Sequence, residues 1–168
     1  MKRHEVKDAH EKSVIDSFKM YLEEAGRTLA VLSYPDPPDA IVELDNQSTW
    51  LEVTDAFIGS DFARSLTSYA AEDMAHIPTK RKAILDPDTR FAEIVQSVVE
   101  KKYAKASISN IYRSNGAGVL LVGLFSPFLG EPERNELIRC LSGIRSQRDG
   151  RFKEIYVYDQ SHNFYPVP

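Results

Sequence analysis

Apolar residues recur along the chain with two different periods, and the switches between them mark the elements. Val14, Ile15, Phe18 and Leu22 are spaced three and four apart, which puts them on one stripe of a helix over 4–24. Gly26 stands where a C-terminal cap is expected. Residues 28–34 (TLAVLSY) predict a short strand. The stretch PDPPD that follows can be neither helix nor central strand, because its three prolines lack N–H donors and fix φ. AIVELD and TWLEVTDAF then alternate with period two, predicting strands at 39–45 and 49–57 around a polar turn of Asp45, Asn46, Gln47 and Ser48.

Beyond the hairpin, DFARSLTSYAAEDM suits a helix over 61–74. A longer helix is expected over 90–113, with Phe91, Ile94, Val95, Val98 and Val99 on one stripe. The unbroken apolar run GVLLVGLFS (118–126) predicts a strand buried on both faces. A helix starting near Pro132, an alternating strand over 152–159 and the tail SHNFYPVP complete the chain. A meander followed by strand, helix and strand implies an α/β (α+β) fold: a mixed sheet flanked by helices, as one domain over 1–168 with a helical insertion at about 61–90.

Composition narrows the function classes. The chain of 168 residues is 42% hydrophobic, enough for a real core, and carries a single cysteine, Cys140. That excludes an internal disulfide and any multi-cysteine metal site. No apolar run approaches the roughly 20 residues of a membrane helix. The charged N-terminus has no apolar run behind it, so no secretory signal is expected and a cytoplasmic setting is. A net charge of −4 weighs against nonspecific nucleic-acid binding by the chain as a whole. Cations nevertheless gather at Lys80-Arg81-Lys82, at Lys101, Lys102 and Lys105, and around Arg145, Arg148 and Arg151, each group also readable as solvated surface.

The hairpin carries the chemistry. With Asn46 and Gln47 at the turn, Asp39 lies opposite Thr54 and Ile41 opposite Glu52. Alternation then puts Asp39, Ile41, Glu43, Trp50, Glu52 and Thr54 on one face. Asp39 and Glu52 become diagonal neighbours whose carboxylates can converge. Converging carboxylates repel unless a proton or a cation sits between them, and oxygen donors of this kind suit Mg²⁺ or Mn²⁺. Extending the first helix's stripe backwards reaches Glu11, either at the stripe's edge or facing inward toward a cation. On the long helix Lys102 falls near the middle of the apolar stripe, with Lys101 and Lys105 toward its flank. An inward lysine needs an anionic partner or must reach outward with its stem, and Asp39 with Glu52 would be such a partner.

Pro38-Asp39, twelve intervening residues and then Glu52-Val53-Thr54 resemble the motif of the PD-(D/E)XK nuclease superfamily, with threonine in the lysine position. The resemblance spans about three quarters of the chain, and it implies a restriction-endonuclease-like core and a Mg²⁺- or Mn²⁺-dependent DNA phosphodiesterase. It implies metal ligation by Asp39, Glu52 and the Val53 carbonyl, with Glu11 holding the metal's water shell. Thr54 can donate a hydrogen bond but brings no positive charge. A catalytic lysine relocated to the following helix would be Lys102, with Lys101 and Lys105 on the nucleic-acid backbone. The alternative from another class is a nuclease-like domain without catalysis, a binding or structural module within a larger complex; the partner, besides nucleic acid, would be another protein or a second copy of the chain. A third alternative leaves the hairpin carboxylates merely facing solvent.

Other candidates are weaker. His4, His10, His76 and His162 show no metal-ligand spacing. Cys140, beside Leu137 and Leu141, reads as a buried inert thiol. SNGAG lacks the strand-before, helix-after setting of a phosphate loop. Trp50 could stack on a base but as a strand residue fits a core.

Overall fold

The computed structural model describes residues 2–59 and 86–168. The helix expected at 61–74 and the run Lys80-Arg81-Lys82 lie outside the described residues. Among those described, helix α1 (Arg3–Glu24) is followed by strands β1 (Leu29–Ser33), β2 (Ala40–Leu44) and β3 (Gln47–Phe57). Helices α2 (Pro87–Ala104) and α3 (Ala106–Asn115) lead into β4 (Gly118–Phe125). Helix α4 (Glu131–Gln147) precedes β5 (Phe152–Tyr158) and β6 (Phe164–Val167). The six strands form one mixed sheet in chain order. β1 to β3 are an antiparallel meander, β4 and β5 run parallel to β3, and β6 turns back antiparallel to β5.

Two hydrophobic layers sandwich the sheet. On one face Val14, Ile15, Phe18 and Leu22 of α1 pack on Val42, Leu51, Val53, Val119 and Leu121. On the other, Phe91, Val95 and Val99 of α2, Ile108 of α3 and Leu137 and Leu141 of α4 cover Trp50, Leu120, Val122 and Val157. β4 serves both layers and is buried at every residue, as its unbroken apolar run requires. Trp50 belongs to this core: it is fully buried, and its Nε1 donates to the Gly116 carbonyl at 2.8 Å. No described helix is long and apolar enough to cross a membrane.

α1 ends as its glycine predicts. Gly26 takes φ of +75°, and the Arg27 and Gly26 amides donate back to Leu22 and Glu23 carbonyls, a Schellman cap. Three other expectations change.

The hairpin register is two residues tighter than expected. Asp45 and Asn46 both take positive φ, 50° and 64°, and make a two-residue turn that Asp and Asn tolerate better than most residues. Leu44 therefore pairs with Gln47 and Ile41 with Trp50 instead of Glu52. A shift of two keeps every side chain on its expected face. It also brings Asp39 level with Glu52 instead of Thr54.

The helix expected over 90–113 is two helices, broken at Lys105 with φ −69° and ψ 123°. Neither Gly nor Pro causes the break. On a continuous helix Ile108 would point about half a turn away from Val99; breaking at Lys105 lets Val99, Tyr103 and Ile108 all be buried in one layer. The tail is not free: Phe164 and Val167 are buried, and 164–167 pair with β5.

Candidate metal centre at the open end of the hairpin

β3 is longer than β2, and the pairing between them stops at Ala40 and Leu51. Continued by two residues, the ladder would set Pro38 against Val53. Proline has no N–H to give, so the Val53 carbonyl receives none from this strand. The Pro38 carbonyl is turned away, accepting from Asp36 N at 2.9 Å. Asp39 supplies what is missing on the donor side: its Oδ2 accepts the Val53 N–H at 2.7 Å. Because N–H and C=O of one strand residue leave on the same side, the Val53 carbonyl shares the edge that Asp39 occupies. The Pro-Asp pair thus ends the ladder and holds a carboxylate where the ladder ended.

Glu52 is buried on the face covered by α2, 2% exposed. Lys102, one helical turn beyond Val98 and Val99, reaches its Oε1 with Nζ at 2.6 Å. Lys105, carried in by the break between α2 and α3, stands 4.0 Å from the same oxygen. Oε2 of Glu52 is buried and has no hydrogen-bond partner among the described residues. Such an atom costs about 1–3 kcal/mol or more to bury unless something binds it. Asp39 is 7% exposed, and its carboxyl is pushed up to about 7, first by burial and then by the Glu52 charge. The Val53 amide and Lys102 oppose that rise, and Glu11 adds to it. Both lysines sit at Oε1 of Glu52, while Asp39 is held up chiefly by its burial.

The remaining expected residues are distributed as follows. Glu11 lies on α1, across the sheet from Lys102, and pairs with Lys7 at 3.2 Å. Burial, more than any neighbour, raises its carboxyl, and its charge is felt at Asp39. Lys7 also stands 3.8 Å from Asp36, so α1 and the Pro35–Asp39 segment face one another through these charges. Thr54 is half-buried in β3 beside Val122 of β4. Lys101 is exposed on α2. Cys140 is half-buried, not sealed in the core, and its Sγ accepts from Gln96 at 3.0 Å.

The donor set fits a hard divalent cation. It comprises two carboxylates, one with an orphaned buried oxygen, and a backbone carbonyl at an interrupted ladder. Among the described residues no three His, Cys, Asp or Glu side chains form a metal cluster. Two carboxylates with the remaining positions left to water and phosphate oxygens are the usual arrangement for Mg²⁺.

A second polar cluster, on the α1 side of the sheet, was not evident from spacing. His10 Nε2 lies 2.8 Å from Asp55 Oδ2, and the Tyr158 hydroxyl donates to Asp55 Oδ1. Asp55 interrupts the apolar positions Leu51, Val53 and Phe57 on the inward face of β3, which is the signal that could have found it. Gly123 on β4 makes room: a Cβ there would sit 2.4 Å from Asp55 Oδ1 and 2.7 Å from the Tyr158 oxygen. No family model matches the chain, and neither a curated protein nor a solved structure matches it.

Proposed function

We propose that this protein is a divalent-metal-dependent phosphodiesterase acting on DNA, with a restriction-endonuclease-like core. The observation that carries the proposal is the carboxylate pair at the hairpin's open end: buried Asp39 and Glu52, a carboxylate oxygen with no partner among the described residues, and a lysine already on the other one. Asp39, Glu52 and the Val53 carbonyl would hold Mg²⁺ or Mn²⁺. Such an ion polarises a phosphate oxygen and lowers the pKa of bound water.

The chain's own residues divide the remaining work. Lys102 takes the place of the motif lysine from a helix instead of from position 54. Its ammonium holds Glu52 in place and offers its other N–H groups to charge growing on the phosphate. Thr54, on the same face of β3, can donate a hydrogen bond. Glu11 orders water from the α1 side. Lys101 and Lys105 meet the backbone of the nucleic acid as salt-sensitive contacts.

The test is cleavage of single- and double-stranded DNA in Mn²⁺ or Mg²⁺, with Asp39→Asn and Lys102→Met as controls. The expected result is metal-dependent cleavage lost in both variants, with Lys101→Met weakening substrate binding in a salt-dependent way. The second function, a nuclease-like binding module without catalysis, is favoured by Thr54 in the lysine position. Metal-enhanced DNA binding without cleavage would select it.

A further inference from the structure

The pair at the hairpin and its lysine leave one requirement of phosphodiester hydrolysis unmet. When the P–O bond breaks, the departing alkoxide is strongly basic and must receive a proton. Lys102 is engaged by Glu52 and by the charge on the phosphate, and Thr54 is too weak an acid.

We propose that His10 supplies that proton, held for the task by Asp55 and Tyr158; this proposal rests on the phosphodiesterase assignment above. Lys7, His10 and Glu11 are spaced three and four apart and share one face of α1. Lys7 and Glu11 on that face are tied by charge to Asp36 and Asp39, so His10 stands on the side of α1 turned toward Asp39. Its side chain is 35% exposed, so one edge of the ring remains accessible while Nε2 is engaged by Asp55.

The second layer is fixed. Asp55 accepts from Tyr158, whose hydroxyl is deeply buried and held far above its usual range by that burial and by Asp55. Tyr158 therefore stays protonated and acts only as a donor. Asp55 raises His10, chiefly through the hydrogen bond, against the opposing effect of burial. The other groups facing the ring are Glu11, which adds to the rise, the Phe125 ring at 6.2 Å and His162. The Asp55 hydrogen bond thus favours the cationic form of His10, the form a proton donor needs. In the step, water adds to phosphorus and releases one proton to solvent, the P–O bond to the leaving sugar breaks, and the leaving oxygen takes the Nδ1 proton of His10. The products are a phosphomonoester and an alcohol, and solvent reprotonates the imidazole.

The experiment compares DNA with an oligonucleotide carrying sulfur at the leaving bridging position, because a thiolate departs without a proton. His10→Gln keeps a donor for Asp55. It is expected to slow DNA cleavage about 100-fold, at the low end of general-acid effects, and to slow the sulfur substrate less than about 5-fold, with Mn²⁺ binding unchanged. Asp55→Asn is expected to lower the His10 pKa measured by NMR and move the alkaline limb of the pH–rate profile to lower pH. Equal losses on both substrates, or no loss on either, would overturn the role of His10 while leaving the metal site standing. A wild type that cleaves neither substrate in Mn²⁺ overturns both the phosphodiesterase assignment and this role.

Discussion

The two ends of the β2–β3 hairpin hold similar groups in opposite states. At the turn, Arg27 donates to Asp45 Oδ2 from Nε and Nη2, at 2.9 and 2.8 Å. It also donates to both oxygens of Glu154, at 2.8 and 2.9 Å. Tyr156 adds a hydrogen bond to Glu154 at 2.6 Å, and the Thr28 amide one to Asp45 at 3.1 Å. These hydrogen bonds, Arg27's foremost on Glu154 and the Thr28 amide's on Asp45, hold both carboxyls below their usual range. At the open end Asp39 is pushed upward. The turn end closes on itself with a planar guanidinium matched to carboxylates. At the open end the described residues leave a buried Glu52 oxygen without a partner. The difference between them separates a structural ion network from a candidate site.

The strongest way to break that contrast is to remove Lys102. Lys102→Met leaves the Glu52 charge buried with only Lys105 nearby, and breaking such a pair costs about 3–5 kcal/mol. A fall of about 6–20 °C in melting temperature is expected for a chain of this size. Adding Glu52→Gln should recover much of that loss, and calorimetry of the two variants checks it.

Asp39→Asn should act in the other direction. The amide oxygen can still accept the Val53 N–H, and the charge repelled by Glu52 is gone. A carboxyl raised from 3.8 to about 7 gives stability its full contribution below about pH 4 and loses it as the pH rises through 7. The variant should therefore be more stable than wild type at pH 8, by about 4 kcal/mol, with the gap closing by pH 4. Melting curves across that range are the check, and a gap independent of pH would contradict the assignment.

Gly123→Ala tests the pocket that holds Asp55. The added methyl meets Asp55, Phe125 and Tyr158 at 2.4–2.7 Å, so a loss of about 1–3 kcal/mol in denaturant unfolding is expected.

The smallest effect is expected at the closed end. Glu154→Gln should cost about 1 kcal/mol at pH 7. Because the folded-state carboxyl is lowered, that cost should fade as the pH drops below its usual range near 4.5. Mn²⁺ should not change it.

Much of this was legible along the chain. The stripe of Val14, Ile15, Phe18 and Leu22, the alternation flanking Asp45–Asn46 and the unbroken run of β4 each follow from one local period, and each element formed where its period placed it. Lys102 was found because a cation on an apolar stripe needs an anion, and Glu52 is that anion at 2.6 Å. What the periods did not contain was geometry set by contacts distant in sequence. The break at Lys105 depends on burying Ile108 with Val99, which no propensity at residue 105 records. The hairpin register depends on positive φ at Asp45 and Asn46, one residue earlier than the pair expected to turn. His10, Asp55 and Tyr158 are separated by 45 and 103 residues, and only the sheet brings them together.

The central proposal is that Asp39 and Glu52 bind one divalent cation, and direct measurement of Mn²⁺ binding tests it. Titration followed by the EPR signal of free Mn²⁺ should show one site on the wild type, lost in Asp39→Asn and in Glu52→Gln and unchanged in Glu154→Gln. A wild type that takes up no Mn²⁺ at millimolar concentration, or uptake indifferent to Asp39 and Glu52, would contradict the account.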